Sequence, residues 1–397
     1  MPTSGSPTST RLEPGSPPPQ RRRRGLVVAL VSSAVVLAVT VPLVLRGGDV
    51  FGGDDAAVAP ATTTPTPTAH DGQQPARGVL DVSHLATGAA PAVEYVTGGV
   101  LHEPDGGTVD VGTRYPVNGF VVLADGSRVW QTARGGTPYV EIEGADGAFR
   151  APARSLFGLA VNPQHSVASW VTPSGQVMVW SAGATAPAPL GDPITAGRDL
   201  RIAAVSGDDC SLACSVVVNV RDARGVAGSE PWEASPNGTQ RLDDGGYLIV
   251  NDVSQAGLTV GYTRITDFGT CSKLLGGGEF QGFSTCRHTL DSFSPDGQLL
   301  LADPAYHDGI GNGVIAMYDL EGTRLFVRHN TEDAQSFYPR AEWETTTQVL
   351  APVFQDGRWS IVRFAPDGAM EYAVAPVRGQ DVENPFVLPT GGAAAGD

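Results

Sequence analysis

The chain has 397 residues, only 17% of them charged, with 50 glycines and 31 prolines. That composition favours many tight turns over long helices, and the length holds two or three average domains or one large all-β domain. The formal net charge of −16 is uneven: residues 1–24 carry five arginines against Glu13, so the remainder carries about −20, a field that repels phosphate backbones and anionic lipids and excludes a nucleic-acid partner.

Residues 1–24 are rich in Ser, Thr and Pro and end in Arg21 to Arg24, which predicts a disordered basic tail. From Gly25 to Leu45 (GLVVALVSSAVVLAVTVPLVL) there is no charge. At about 1.5 Å per residue a helix of that length crosses the ~30 Å hydrocarbon core. Four arginines before the run, against Arg46 alone after it, place the N-terminus in the cytoplasm by the positive-inside rule. Residues 25–46 therefore read as a transmembrane signal anchor, single-pass in the cell membrane, with the rest of the chain extracytoplasmic. A cleaved signal peptide is the competing reading, but its apolar core is ordinarily about 7–15 residues. The best small-residue site, Ala57-Val58-Ala59, is also followed by Pro60. Residues 47–77, rich in Gly and then in Thr and Pro, predict a semi-rigid stalk.

From residue 78 to 388 short Val/Ile/Leu/Trp runs alternate with Gly, Asp, Asn and Pro, the pattern of many short strands. FVVLADGSRVW (120–130), ASWVTPSGQVMVW (168–180) and LAPVFQDGRWSIVRF (350–364) each place a glycine turn between two strands. The turn glycines keep a period: Gly126 to Gly175 spans 49 residues, Gly313 to Gly357 spans 44, and the 138 between Gly175 and Gly313 is three units of 46. Gly78, 48 residues before Gly126, opens the series. Four-stranded propeller blades repeat at roughly 40–50 residues. The fold class is therefore all-β, a β-propeller of seven blades, with six or eight as alternatives. Residues 389–397 read as a disordered C-terminal tail.

One unit carries a family likeness. SFSPDGQLLLA (292–302) followed by VIAMYDLEGTRLFV (314–327) resembles TolB-like and WD40-like β-propeller repeats, in a bacterial, actinobacterial-looking chain with a single lysine, Lys273. In that likeness Ser294-Pro295-Asp296-Gly297 is the turn after an inner strand and Asp319-Leu320-Glu321-Gly322 the turn before an outer one. APDG (365–368) echoes the second element. The resemblance implies loops presented around a central channel to bind something. A stalk precedes the repeats here, where TolB has a separate N-terminal domain, so the Tol-system role is not transferred.

Cys210, Cys214, Cys271 and Cys286 all fall on the extracytoplasmic side, and an even number there suggests disulfides. Local pairing, Cys210 with Cys214 and Cys271 with Cys286, is favoured; the longer loop is worth roughly 3 kcal/mol in the chain-entropy model. No CxxC pair points to zinc. His102-Glu103 begins an HExxH-like run, but Gly106 stands where the second histidine is needed. There is no GxSxG elbow and no GK[ST] phosphate loop, and GGGE (276–279) precedes no helix pattern. No catalytic residue, metal or cofactor is assigned. Acidic pairs, Asp208-Asp209 and Asp243-Asp244, suit the turns of a propeller as well as acid–base chemistry. Trp130, Trp180, Trp343 and Trp359 fall in predicted strands as packing residues. Asn237-Gly238-Thr239 matches a glycosylation sequon and marks a turn.

The insert DPAYHDGIGNG (303–313) is longer than the equivalent turns LADGS, TPSGQ and FQDGR. Asp308, Asn312, Gly313 and Asp319 sit at positions 1, 5, 6 and 12 of a calcium loop, but Ile310 fills the third ligand position. The extension, with Asp303, His307, Asp308 and Asn312, is instead the candidate ligand-binding surface. Two functions follow. One is a membrane-tethered extracytoplasmic module that binds a protein, glycan or small ligand. The alternative is an extracytoplasmic hydrolase or lyase using carboxylates at the channel mouth, favoured if carboxylates from several blades converge.

Overall fold

The computed structural model describes residues 76–195, 199–222, 225–242, 246–276, 280–306 and 309–391, all within the unit Ala69–Asp397. The basic tail, the apolar span and the stalk through residue 75 fall outside the described residues. So do His307, Asp308 and residues 392–397.

The alternating apolar runs pair into seven sheets, and no α-helix occurs among the described residues. Blade 1 comprises Phe386–Val387, Tyr95–Thr97, Val100–His102 and Thr108–Asp110. Blade 2 runs from Val117–Val122 to Ala153–Arg154, blade 3 from Ala160–Val161 to Ala188–Leu190, and blade 4 from Asp199–Ser206 to Gly238–Arg241. Blade 5 runs from Ile249–Val253 to Ser284–Thr285, blade 6 from His288–Phe293 to Arg324–His329, and blade 7 from Glu342–Trp343 to Met370–Arg378. The fold is thus a seven-bladed propeller, as the glycine period predicts.

Strands within a blade alternate in direction, so turns after the first strand lie on one face, here called lower, and turns after the second on the upper. SPDG at 294–297 is a lower turn and DLEG at 319–322 the turn before the fourth strand, as expected. Gly175, Gly313 and Gly357 occupy upper turns. At the last of these, Asp356 and Gly357 both have positive φ (52° and 72°), the mirror-image hairpin turn that matches strand twist. Two glycines break the expected equivalence. Gly126 lies in a lower turn, and blade 2 makes its upper turn with Gly135-Gly136. Gly78 is in no turn at all; it lies in the strand Ala76–Val79, which adds to blade 6 as a fifth, parallel strand.

Apolar clusters straddle neighbouring blades: Val121 and Trp170 between blades 2 and 3, Val171 and Val218 between 3 and 4, Leu274 and Leu300 between 5 and 6. Trp130, Trp180, Trp343 and Trp359 are each 1–2% exposed, confirming them as packing residues. Closure uses both chain ends. The inner strand of blade 1 is the C-terminal Phe386–Val387, antiparallel to Tyr95–Thr97. Beyond it, Pro389 bridges Phe120 and Thr390 N–H donates to the Phe120 carbonyl at 2.7 Å, so the expected tail begins with residues seated on blade 2.

From blade 6 the chain crosses blade 7 as a strap, Leu80 to Glu94. Leu80 is fully buried against both blades, and Thr87 bridges Tyr372. Arg363, 7% exposed, pins the strap: Nη2 donates to Glu344 at 2.7 Å and to the Ala90 carbonyl at 3.0 Å, and Nη1 to the Ala89 carbonyl at 3.2 Å. Glu344 also accepts from Ala92 N–H at 2.7 Å. Removing one partner strands a buried charge. Arg363→Ala should therefore cost about 3–5 kcal/mol in urea unfolding, whereas Arg241→Ala, whose pair with Glu230 is exposed, should change stability by about 1 kcal/mol or less.

Candidate functional site

The first strands of blades 3 to 7 line a central cavity of about 390 Å³. Three of these strands carry a β-bulge: the pairing skips Ala203 in blade 4, Asn251 in blade 5 and Asp291 in blade 6. All three skipped residues line the cavity, the re-aiming that an extra residue in one strand produces.

Polar side chains tie each blade to the next around this lumen. Gln131 accepts from Gly158 N–H at 3.0 Å, and Asn162 donates to the Gly207 carbonyl at 3.0 Å. Asn219 brackets Val250, donating to its carbonyl at 2.7 Å and accepting its N–H at 2.9 Å. Asn251 donates to the Leu290 carbonyl at 2.6 Å, and Asp252 accepts from Phe293 N–H at 2.9 Å. Trp343 donates to Ser292 at 3.2 Å, and Glu342 accepts from Gly391 N–H at 3.1 Å.

Charge is segregated along the channel. Towards the upper mouth blade 4 places Arg201 and Arg221 around one carboxylate, Asp199, at 3.3 and 3.7 Å. Deeper, Asp252, Asp291 and Glu342 converge from three blades around Arg340, which lies 2.7 Å from Glu342. Protein encloses this cluster while lumen solvent still reaches it; the Arg340 side chain is 60% exposed. Burial pushes the Asp252 carboxyl up to about 7, against N–H bonds from Phe293 and Val253 that pull it down. Burial likewise pushes Glu342 up to about 7, opposed by Arg340. Among the described residues no cluster of three His, Cys, Asp or Glu is placed to hold a metal ion.

Of the insert residues, Asp303 and Asn312 come together beneath the extension. Asp303 lies one residue before the end of the second strand of blade 6, Leu299–Pro304, and accepts from Tyr338 O–H at 2.6 Å; Asn312 also donates to it and exchanges backbone bonds with Tyr338 at 2.7 and 3.1 Å. Burial, with Asp291 nearby, pushes Asp303 up to about 8. These two residues anchor the extension, while Tyr306 (52% exposed) and Ile310 (54%) project from it.

Beside them, the upper hairpin of blade 5 turns at Asp267-Phe268, and Phe268 is 93% exposed. The two loops are held together, since Thr270 N–H donates to the Ala305 carbonyl at 2.8 Å. The Cys271–Cys286 disulfide ties this hairpin to the end of its blade, and Cys210–Cys214 closes a lower turn of blade 4, both as paired from the sequence. Asp209 caps that lower turn, accepting from Ser211 N–H at 2.9 Å, and Asp243-Asp244 lie outside the described residues.

Sequence reasoning missed Asp252, Asp291, Arg340 and Glu342. Their signal is a repeated one: NDVS (251–254), DSFS (291–294) and AEWE (341–344) each interrupt an apolar inner strand with acids just before its lower turn. It missed Phe268 because one aromatic in a strand-rich region reads as core.

No family model and no curated protein matches the chain. Among solved structures it is similar to the β-propeller domain of the Trilobed protease from Pyrococcus furiosus, at 11% identity over 75% of this chain and 85% of that one, TM-score 0.41. It is similar to YCF48 bound to D1 peptide, at 12% identity, 73% and 86% coverage and TM-score 0.43. A third is the Cps50 (Swd1) β-propeller domain from Myceliophteria thermophila, at 7% identity, 68% and 88% coverage and TM-score 0.45.

The raised carboxyls link stability to pH. Unfolded carboxyls ionise near pH 4, whereas Asp252 and Glu342 hold protons to about 7 and Asp303 to about 8. Over that window the native state binds more protons than the unfolded chain, so stability falls as pH rises and levels off above it. His288, which burial depresses to about 4, acts in the opposite sense below its unfolded value of about 6.5. The decline is therefore cleanest between about pH 6.5 and 8.5. Thermal midpoints should drop by a few degrees across that interval. Asp303→Asn, which keeps an acceptor for Tyr338, should flatten the drop; a wild-type midpoint that rises instead contradicts the linkage.

Proposed function

We propose that this chain is a membrane-tethered, extracytoplasmic protein-binding module whose partner docks on the upper rim of blades 5 and 6. The observation that carries this reading is Phe268, a large apolar side chain held 93% exposed on a disulfide-braced hairpin. It contributes nothing to the core, and a rigid aromatic loses little entropy on binding, so it suits a hot spot. Tyr306 and Ile310 extend the patch, and the sequence between them includes the polar residues His307 and Asp308. A projecting patch of this kind fits a concave apolar pocket on a protein better than a flat glycan. The tether rests on the uncharged run Gly25–Leu45 and the arginines before it.

A hydrolase or lyase acting through the channel is the second reading, favoured by the convergence of Asp252, Asp291 and Glu342. Against it, Asp252 already bonds blade 6 and Glu342 the C-terminal segment at Gly391. It requires turnover of a glycoside that Glu342→Gln abolishes.

Affinity capture with the full chain in detergent, quantified by mass spectrometry, tests the rim. Changing Phe268, Tyr306 and Ile310 together to Ala should deplete the partner by more than about 30-fold, since one hot spot is worth about 2 kcal/mol or more. Val382→Ala, an exposed residue of the blade 7 to blade 1 connection, should leave capture unchanged. If the triple variant and the parent retain the same proteins, the rim reading fails. A reporter fused after Asp397 should be active only outside the cytoplasm; cytoplasmic activity overturns the tether.

A further inference from the structure

We infer that the central channel is a second, independent site that holds a short peptide or other small zwitterion, its carboxylate at Arg201 and Arg221 and its ammonium among Asp252, Asp291 and Glu342. The cavity, about 390 Å³, lies at the small end of ligand sites, which run from about 300 to 1,000 Å³. It fits a few residues of peptide and excludes a long oligosaccharide.

The two ends of the lumen have opposite character. At the mouth two guanidiniums share one carboxylate, Asp199, leaving a surplus positive charge. Arg221 Nη1 stands 3.7 Å from Asp199, too far for a hydrogen bond, so that end of the guanidinium keeps donor capacity for a ligand carboxylate. Fork-shaped guanidinium donors match a carboxylate bidentately.

Deeper in the channel the carboxylates face the lumen from separate blades. Asp252 uses two of its roughly four lone-pair positions on the N–H groups of Val253 and Phe293, which leaves acceptor capacity for an ammonium. Arg340 stands among three acids, Asp252, Asp291 and Glu342, and its charge opposes a doubly charged metal ion more strongly than a singly charged ammonium. An ammonium instead spreads three donors over acceptors several ångströms apart. Arg201 lies near the upper end of its inner strand, whereas Asp252 and Glu342 lie next to the lower turns of theirs, so the ligand's charges must be separated by several bonds, as in a peptide.

Ionised carboxylates bind the ammonium better than protonated ones. The burial that pushes Asp252 and Glu342 up to about 7 therefore makes binding release protons. The charged and titratable groups around them are Asp291, Asp303, Arg340 and Tyr262.

Titration calorimetry with the full chain in detergent, using L-trialanine as probe, tests this. The free peptide should bind, and its affinity should rise from about pH 5.5 to pH 7, below the amine's own pKa of about 8, with proton release measured in two buffers. N-acetyl-trialanine and trialanine amide should each bind at least about 10-fold more weakly, the loss expected for one charge-assisted contact. Arg201→Gln, at a half-exposed position, should weaken the free peptide but not the amide; Arg221→Gln should do the same if it folds. The triple rim variant at Phe268, Tyr306 and Ile310 should leave peptide binding intact, which separates this site from the rim. No heat with trialanine, or equal affinity for the blocked peptides, overturns the inference.

Discussion

Ring closure is the constraint on which the rest of this structure depends. Each blade buries one face against the blade before it and the other against the blade after it, so no blade is complete alone. Apolar packing supplies the area, but area is not directional. Direction comes from side-chain to backbone bonds across the interfaces: Asn219 on Val250, Asn251 on Leu290 and Asp252 on Phe293. Each satisfies a buried backbone group that the neighbouring blade exposes, and each would leave an unpaired group behind if the blades slid. The last interface is sealed twice. The C-terminal strand completes blade 1, and the N-terminal strap bridges blades 6 and 7 under Arg363. Fraying at either terminus is therefore opposed by contacts far away in sequence.

These bonds also shape the lumen. The bulges at Ala203, Asn251 and Asp291 break the strict alternation of three inner strands and turn an extra residue to the lumen. Blade 5 uses its bulge for both tasks. In blade 5 Asn251 reaches the blade 6 backbone while Asp252 both accepts from Phe293 and lines the cavity. The polarity of the channel is in part a by-product of holding the ring together.

Much of the architecture was legible because a blade is a local motif. The Ser294 to Gly297 and Asp319 to Gly322 turns and the local cysteine pairs involve residues close in sequence, and the structure places them as read. Errors arose where chemistry was the same but position differed. An ADG turn serves equally after a first or a second strand, so Gly126 could not be told from Gly175 by its residues. Gly78 and the strand Ala76–Val79 pair with Arg328 and its neighbours, some 250 residues away, and no local pattern encodes that. The insert at 303–313 was legible as an addition but not in its division of labour. Asp303 and Asn312 turn inward to Tyr338, a contact invisible to spacing, and Tyr306 and Ile310 are left outside.

The channel acids were illegible one by one, but their register in the ring argues for a use beyond closure. At the residue one pair before the lower turn, blades 2 to 7 carry Val121, Ala160, Val205, Asp252, Ser292 and Glu342 in turn. Blade 3 closes with a methyl group there, and blade 6 with a hydroxyl. Neither geometry requires a charge. Blades 5 and 7 nonetheless carry carboxyls that burial pushes to about 7, and such groups weaken the native state at neutral pH relative to an uncharged residue. A position that tolerates Ala or Ser but holds a costly acid, twice, beside one lumen is where a fold departs from its own stability optimum. Such departures concentrate at functional sites, and the acids' shared cavity with the Arg201–Arg221 pair gives this one a chemical purpose.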